Sequence, residues 1–355
     1  MPIDDIYMRR CLELAANGLG RVAPNPMVGC VIVYNGRIIG EGFHQRYGGP
    51  HAEANAIASV KEPSLLPHST LYVNLEPCSH VGKTPPCADL IINSRISKVV
   101  VSVSDPFSKV SGRGIQRLRD NGVQVTMGVL AQESAKLNRR FFIFHQRKRP
   151  YIILKWAQTA DGFIDMLRPE GAQPHPTWIT SEKLRMLVHK WRSEESAIMV
   201  GTTTALLDDP GLNVRDWHGN QPVRIVIDKT CSLPDTLKLF NGQQPTLVYN
   251  LVKHDQVGQT RWVRLSDSTD MLAEILSHLH SENIQSVFVE GGRHLLQSCI
   301  DNELYDEARI FTGPQFFGQG CRAPLIGHQE PSQIILGNEN FFWHETHRYE
   351  HGINR

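Results

Sequence analysis

The sequence predicts two α/β domains in tandem, and three observations lead to this prediction. Strand-like apolar runs alternate with helix-like segments in both halves of the chain. A polar, charged segment at residues 146–150 separates the two alternating patterns. The length of 355 residues suits two domains of ordinary size better than one. We therefore predict one domain over residues 1–146 and a second over residues 147–355.

The first half predicts a hairpin followed by alternating helices and strands. Asp4 and Asp5 open a helix over residues 4–17, because acidic side chains are favoured in the first helical turn. The Asn35-Gly36 pair is a favoured two-residue turn, and it joins strands 28–33 and 37–41. The remaining predicted elements are helix 52–60, strand 70–75, helix 88–94, strand 99–103, helix 114–121 and strand 123–127.

The second half shows the same alternation. Its predicted strands are 151–154, 196–200, 223–228, 246–249 and 286–289, and its predicted helices are 181–191 and 271–281. No G-x-G-x-x-G motif follows the first strand, which disfavours a Rossmann fold. Two strand-to-helix junctions suit a phosphate group instead, one at Gly291-Gly292 and one at residues 201–204. Each junction taken alone could also be an ordinary structural turn.

Composition and charge exclude several classes of function. The formal net charge of +1 provides no strong basic field for a nucleic-acid backbone. No run of about 18 apolar residues occurs, so we predict no membrane span. The acidic start of the chain lacks the cations of a signal peptide, and the seven scattered cysteines do not form a disulfide framework. We expect a cytoplasmic protein without nucleic-acid or membrane partners.

The first half contains the residues of a catalytic zinc site, His51, Cys78 and Cys87. One imidazole and two thiolates leave the fourth position of tetrahedral zinc open for water. Glu53 would take a proton from that water and pass it to a leaving amine. His51 and Glu53 stand two positions apart and cannot share a lateral helix face, so the metal must lie beyond the N-terminal end of the helix. Pro50 suits such a helix start.

Two structural alternatives remain open for these residues. His80 could act as a fourth ligand and complete a closed Cys2His2 site in a non-catalytic scaffold, which would leave Glu53 without a purpose. The histidine and cysteines could also be ordinary buried side chains. A third alternative keeps the zinc chemistry but assigns it to a nucleic-acid editing deaminase, which the near-neutral charge disfavours.

The segment between the two cysteines departs from the general zinc-deaminase signature. That signature is H-x-E followed by P-C-x-x-C, whereas eight residues separate Cys78 from Cys87 here. The G-K-T-P-P-C stretch at 82–87 resembles the deaminase domain of bifunctional riboflavin-biosynthesis proteins. N-P-x-V-G-C-V at 25–31, D-P at 105–106 and G-x-G at 112–114 extend the resemblance, and Phe107-Ser108 is a mild departure from it. The resemblance implies a cytidine-deaminase-like fold, with substrate contacts from Asn25, His44, His80 and Lys83.

The second half resembles the reductase domain of the same family, which is similar to dihydrofolate reductase in fold and uses NADPH. The motifs are K-x5-D-G at 155–162, W-I-T-S at 178–181 and D-D-P-x-L-x-V-R at 208–215. The resemblance implies cofactor contacts from Gln158, Trp178, Thr204, Asp208, Gly291 and Gly292. Gln158 replaces the small residue expected at its position. The resemblance implies substrate contacts from Arg192, Leu212, Arg215 and Glu290, with Lys155 supplying charge or a proton near the ribose.

Arg192 and Arg215 make chemical sense as a phosphate pair, because a guanidinium matches phosphate oxygens in a bidentate manner. In the alternative interpretation, the two arginines form ordinary ion pairs at the protein surface. The resemblance implies two steps on one substrate: zinc-dependent hydrolytic deamination of 2,5-diamino-6-(ribosylamino)pyrimidin-4-one 5′-phosphate, then NADPH-dependent reduction of the ribosyl side chain of 5-amino-6-(5-phosphoribosylamino)uracil to ribityl. It also implies a homo-oligomer, either a dimer or a tetramer.

Overall fold

The computed structural model describes residues 2–79, 85–107, 112–169, 171–266, 270–327, 332–336 and 338–346. The chain divides into two compact units between Lys148 and Arg149. The boundary predicted from sequence lies two residues earlier and stays a prediction. Within the described ranges, no helix is both long enough and apolar enough to cross a membrane.

The first unit is built on a five-stranded sheet with helices on both faces. Its helices are α1 (Ile3–Ala16), α2 (Ala52–Ala58), α3 (Cys87–Asn93), α4 (Arg113–Asp120), α5 (Ala131–Leu137) and α6 (Arg139–Arg147), with a 3-10 helix at Pro63–His68. Its strands are β1 (Gly29–Tyr34), β2 (Arg37–Phe43), β3 (Thr70–Leu75), β4 (Lys98–Val103) and β5 (Gln124–Met127). The strand order is β2-β1-β3-β4-β5. The β1 strand runs antiparallel to β2 and β3, and β3, β4 and β5 are parallel.

Apolar side chains cover both faces of this sheet. On one face α1 packs through Met8 and Cys11 against Val31. On the other face, α2 and α3 pack through Ala56 and Ile91. The helix α1 lies so close to β1 that a Cβ at Gly29 would come within 2.0 Å of the Cys11 carbonyl oxygen. Close packing at this point therefore requires glycine.

All elements predicted for the first half are present; strand 70–75 has its predicted ends, and the ends of the other elements differ from the predictions by at most two residues. The helices α5 and α6 were not predicted. In α6 the consecutive buried side chains of Phe141, Phe142, Ile143 and Phe144 obscure a helical period. This helix continues through Arg147, so the first two residues of the predicted charged break are helical, and Lys148 ends the helix in a left-handed conformation.

The second unit contains a ten-stranded mixed sheet. Its helices are α7 (Glu182–Glu194), α8 (Thr202–Asp208), α9 (Met271–Ser281) and α10 (Arg293–Asp301), with a 3-10 helix at Lys238–Phe240. Its strands are β6 (Tyr151–Gln158), β7 (Phe163–Met166), β8 (Ala197–Gly201), β9 (Val223–Ile227), β10 (Thr246–Asn250), β11 (Asp255–Val257), β12 (Thr260–Arg264), β13 (Ser286–Gly291), β14 (Glu307–Thr312), β15 (Gly320–Arg322), β16 (Ser332–Leu336) and β17 (Glu339–Glu345). The order in the large sheet is β11-β12-β10-β9-β8-β13-β6-β14-β17-β16.

The centre of this sheet was predicted from sequence, but β12, β14 and β17, which also have a neighbour on each side, were not. The predicted strands correspond to β6, β8, β9, β10 and β13, which lie in the interior of the sheet. The strand β14 was missed because it carries Glu307 and Arg309, both of which are buried. The Arg309 Nε donates to Glu307 Oε1 over 2.6 Å, so charge pairing permits a strand that looks polar in sequence.

The parallel pairing of β8 with β13 brings the two glycine-containing junctions together. Both strands end at the same edge of the sheet, where α8 begins after Gly201 and α10 begins after Gly292. Ligands of open α/β sheets bind beyond the carboxyl ends of parallel strands. The fold thus places both junctions where a ligand site is expected.

Candidate active sites

The three predicted zinc ligands converge in the first unit. Each ligand atom of His51, Cys78 and Cys87 lies within 4.8 Å of the others. The His51 Nδ1 lies 3.6 Å from Cys78 Sγ and 3.3 Å from Cys87 Sγ. With Zn–S near 2.3 Å and Zn–N near 2.0 Å, tetrahedral coordination puts nitrogen about 3.5 Å from sulfur. The cluster therefore fits a zinc ion.

The local backbone explains why these residues meet. His51 is the N-cap of α2 in an extended conformation, and Cys87 is the first residue of α3. The Cys87 amide donates to Cys78 Sγ over 3.3 Å. The Cys87 thiol, the His51 imidazole and this amide lower the pKa of Cys78, which favours the thiolate that a metal requires.

Glu53 lies in the first turn of α2 and is 3% exposed. Its carboxyl contacts the Cys87 thiol, and burial raises its pKa above the ordinary value. A carboxyl in such a setting exchanges protons more readily at neutral pH than an exposed one does. Its position beside two of the ligands matches the role predicted from the H-x-E spacing.

Asn25 and His44 lie next to the metal ligands. The Asn25 Nδ2 donates to His44 Nε2 over 3.0 Å, and His44 Nδ1 donates to the Pro50 carbonyl oxygen over 3.0 Å. The rings of His44 and His51 stand edge to face with centroids 5.4 Å apart. His44 is thereby fixed in one tautomer, and the residue is 2% exposed. His80 and Lys83, the other two predicted contacts, fall outside the described residues. The alternative in which His80 is the fourth zinc ligand therefore also falls outside them.

Glu76 supports this site although the sequence did not mark it. It follows β3 two residues before Cys78 and is 4% exposed. Its Oε2 accepts the amides of Asp105 and Gly112 over 3.2 and 2.9 Å. Its Oε1 accepts the amides of Gly114 and Ile115 over 2.9 and 3.3 Å. One carboxylate thus caps the N-terminus of α4 and ties it to the strand that leads to the metal ligand.

The second unit encloses a cavity of 1320 Å³ at the edge where β8 and β13 end. Nearly all predicted reductase residues border it, namely Lys155, Trp178, Arg192, Thr204, Asp208, Leu212, Arg215, Glu290, Gly291 and Gly292. Gln158 is not among the lining residues. Its Oε1 accepts from the Trp156 indole over 2.8 Å, so its side chain is used within the strand.

Three largely buried side chains, those of Arg192, Glu290 and Lys155, line one wall of the cavity. Arg192 donates through Nε and Nη2 to the two Glu290 oxygens, each over 2.6 Å. Burial alone would raise the pKa of Glu290, but Arg192 and then Lys155 hold it below its ordinary value. Burial lowers the pKa of Lys155, against the opposing charge of Glu290. This wall therefore brings Arg192, Glu290 and the Lys155 amine together in a poorly solvated space.

Leu212 and Arg215 border the same wall from the loop after α8. Leu212 is 1% exposed and has a φ of 41°. Arg192 Nη1 donates to the Asn213 carbonyl oxygen over 3.0 Å, which ties the loop to α7. The Arg215 side chain is 49% exposed. Its guanidinium is therefore available for an anion.

The N-termini of α8 and α10 also line the cavity. A Cβ on Gly291 would lie 2.8 Å from Thr204 Cγ2, and Gly292 has a φ of 86°. Arg293 Nε, at the start of α10, is buried without a hydrogen-bond partner among the described residues. Bare backbone amides, a threonine hydroxyl and a buried guanidinium suit the phosphates of a nucleotide cofactor.

Two other predicted cofactor residues are held by arginines. The Trp178 ring is 54% exposed, with the Arg185 guanidinium 4.5 Å from its centroid. Asp208 pairs with Arg168 Nη2 over 2.8 Å, so its carboxylate already has a charged partner. Arg168 also donates to Asp165 and to the His175 and Leu207 carbonyl oxygens. Arg168 was not predicted from sequence, because the Leu207 carbonyl oxygen and the Asp208 carboxylate lie 39 and 40 residues further along the chain.

Comparison with known proteins assigns each unit to a family. Residues 1–103 match the cytidine and deoxycytidylate deaminase zinc-binding region, and residues 150–344 match the RibD C-terminal domain. The riboflavin biosynthesis protein RibD of Actinobacillus pleuropneumoniae is 40% identical over 92% of this chain and 88% of its own. RibD of Aquifex aeolicus is 39% identical over 92% and 91% of the two chains.

Solved structures agree with the sequence relatives. A diaminohydroxyphosphoribosylaminopyrimidine deaminase/5-amino-6-(5-phosphoribosylamino)uracil reductase from Thermotoga maritima is 37% identical, with a TM-score of 0.85 over 96% of this chain and 98% of its own. Acinetobacter baumannii RibD is 32% identical, with a TM-score of 0.85 and the same coverage. The predicted pair of α/β domains, a cytidine-deaminase-like one and a reductase one, is confirmed. The chain belongs to the RibD family of riboflavin biosynthesis proteins.

Proposed function

We propose that this chain catalyses two successive steps of riboflavin biosynthesis, one in each unit. The first is hydrolytic deamination of 2,5-diamino-6-(ribosylamino)pyrimidin-4-one 5′-phosphate. The second is reduction of the ribosyl side chain of 5-amino-6-(5-phosphoribosylamino)uracil to ribityl. The observation that carries the proposal is the pairing, in one chain, of a His51-Cys78-Cys87 cluster beside Glu53 with a separate phosphate-suited cavity.

In the deaminase unit His51, Cys78 and Cys87 would hold zinc, which when bound supplies Lewis-acid activation of water. The Glu53 carboxylate takes a proton from the attacking water and delivers it to the leaving amine, so that ammonia departs. Asn25 and His44 border the pyrimidine, and we extend the same role to His80 and Lys83.

In the reductase unit NADPH would supply the hydride. Thr204, Gly291 and Gly292 offer backbone and hydroxyl donors to the cofactor phosphates, and Trp178 and Asp208 border the remainder. Arg192 and Arg215 bind the substrate phosphate, beside Leu212 and Glu290. Lys155 supplies charge or a proton next to the ribose. We do not assign Gln158 to the cofactor, because its side chain bonds within β6.

We further propose that the chain works as a homo-oligomer in the cytoplasm on small-molecule substrates. Family resemblance supports the oligomer, and the near-neutral charge supports the absence of a nucleic-acid substrate.

The decisive experiment measures both reactions in the same full-length variants. Glu53→Gln should lose ammonia release by about 10²- to 10⁴-fold, since a positioned proton-transfer group contributes that much. It should leave NADPH oxidation with the deaminated substrate almost unchanged. Arg215→Ala should weaken binding of the phosphorylated substrate by about 1–3 kcal/mol, which is about 5- to 150-fold, while deamination continues.

Exposed residues provide the matched controls. Glu133 lies on α5 of the first unit, and Arg264 lies on β12 of the second. The control variants are Glu133→Gln and Arg264→Ala. Both should leave both activities unchanged. Mass analysis of products with NADPH, with NADH and without cofactor tests the cofactor assignment. If Glu53→Gln or Arg215→Ala silences both reactions in a folded protein, the two-site proposal is wrong.

A further inference from the structure

We propose that His189 is a positioning residue that holds Arg215 in the orientation in which its guanidinium meets the substrate phosphate. The inference rests on the proposed function, in which Arg215 binds that phosphate. His189 lies on α7 three residues before Arg192, so both side chains project from the same face of the helix towards the cavity. The imidazole is 3% exposed.

Both ring nitrogens of His189 contact Arg215 and Asp216, two adjacent residues of the loop after α8. The Nδ1 accepts the Arg215 amide over 3.4 Å, and Nε2 lies 3.1 Å from Asp216 Oδ2. An amide N–H only donates and a carboxylate only accepts. A neutral ring with its hydrogen on Nε2 satisfies both contacts. A second hydrogen on Nδ1 would face the Arg215 N–H, so a cationic ring does not fit.

The charged groups around the ring favour this neutral form. Burial, and then the Arg192 and Arg215 guanidinium groups, lower the pKa of His189 to about 4. Asp216 and Glu290 act in the opposite direction and are outweighed. At neutral pH His189 is therefore an uncharged connector, and it has no free nitrogen with which to bind the phosphate itself.

Asp216 extends the contact from the ring to the guanidinium. Its Oδ2 lies 3.4 Å from Arg215 Nε, so imidazole, carboxylate and guanidinium form a chain. Among the described residues, the guanidinium has, besides this chain, one long contact of 3.5 Å to Asn213 Oδ1. Ordering an exposed arginine on binding costs conformational entropy, and a pre-oriented one avoids part of that cost.

The preceding part of the loop is held without His189. Arg192 binds the Asn213 carbonyl oxygen, and Gln221 binds both the amide and the carbonyl oxygen of Val214 over 2.8 and 2.7 Å. Loss of His189 should therefore release Arg215 and Asp216 while residues 213–214 stay in place. This separation makes a local effect on phosphate binding distinguishable from general loss of structure.

The test compares the phosphorylated uracil substrate with its dephosphorylated form in the reductase reaction of the full-length enzyme. His189→Leu should raise KM for the phosphorylated form about tenfold, change kcat by less than about twofold and leave KM for the dephosphorylated form unchanged. His189→Asn retains an acceptor near Nδ1, and His189→Gln retains a donor near Nε2. Each should recover part of the loss. Inhibition by inorganic phosphate should weaken in parallel.

The outcomes separate this inference from the proposed function. If His189→Leu leaves KM within twofold, or raises KM equally for both substrate forms, the positioning role is wrong. If Arg215→Ala has no phosphate-specific effect, the proposed phosphate site is wrong and the inference falls with it. The double variant His189→Leu/Arg215→Ala should bind the phosphorylated substrate no more weakly than Arg215→Ala alone. Should His189→Leu not fold, the Asn and Gln variants decide, because a wild-type KM in both would also overturn the role.

Discussion

Replacement of Glu76 by glutamine tests how the metal-bearing strand is held in the first unit. The carboxylate accepts four backbone amides, two on each oxygen. Glutamine keeps the size of the side chain, but its NH2 group is a donor. It cannot accept hydrogen bonds from the two backbone N–H groups that it would face. Two charge-assisted hydrogen bonds are lost, each contributing about 1.5–3 kcal/mol. We therefore expect Glu76→Gln to lower the free energy of unfolding of the first unit by about 3–6 kcal/mol.

The assay uses the fact that all six tryptophans lie after residue 149. Urea unfolding followed by tryptophan fluorescence reports on the second unit, whereas far-ultraviolet circular dichroism reports on both. Glu76→Gln should shift the circular dichroism transition to lower urea and leave the fluorescence transition in place, with Glu133→Gln as the matched control. Zinc content is measured on the same samples. A loss below about 1 kcal/mol would refute the reasoning, because it would mean that the four contacts do not require the charge.

Four further predictions concern metal, packing, pH and oligomeric state. Cys87→Ser should lose zinc, and full zinc occupancy by metal analysis would contradict the ligand assignment. Gly114→Ala would place a Cβ 1.9 Å from the Pro77 carbonyl oxygen, so the first unit should lose about 1–3 kcal/mol of stability in urea unfolding. The pKa of His189 is lowered to about 4, so the unfolded chain binds a proton that the folded one does not between about pH 4 and 6.5, and stability should rise with pH across that window. In His189→Asn the slope of fluorescence-detected stability should be smaller by up to about 1.4 kcal/mol per pH unit, and an unchanged slope would contradict the assignment. Sedimentation at micromolar concentration should show at least a dimer, and a 40.0 kDa species would refute the oligomer.

The sequence predicted those parts of the molecule in which neighbours along the chain determine the outcome. The strand at Thr70–Leu75 was predicted with its observed ends, because an apolar run closes at Pro77. The spacing of His51 and Glu53 required a metal beyond the helix end, and His51 is indeed the N-cap of α2. The strand β14 was missed because its buried Glu307 and Arg309 pair with each other, which hydropathy cannot register.

Supporting residues of both sites were missed for a different reason. Glu76 acts on amides that begin 29 residues later, and Arg168 pairs with Asp208 at a separation of 40 residues. His189 contacts the Arg215 amide at a separation of 26 residues. The residue types at these positions are common on protein surfaces, and no local pattern distinguishes them. Only the tertiary fold shows that their charges and lone pairs are used.

The central place of β6 in the large sheet has a consequence for synthesis on the ribosome. The five-stranded sheet of the first unit can close as soon as Met127 has emerged, so this unit can fold while translation continues. Among the described strands, the next one, β6, pairs with β13 and β14, and Arg149 pairs with Asp306, 157 residues later. The apolar residues 151–154 therefore have no strand partner until β13 and β14 have been synthesised. We expect this nascent strand to be the segment that chaperones protect, and the second unit to fold after release.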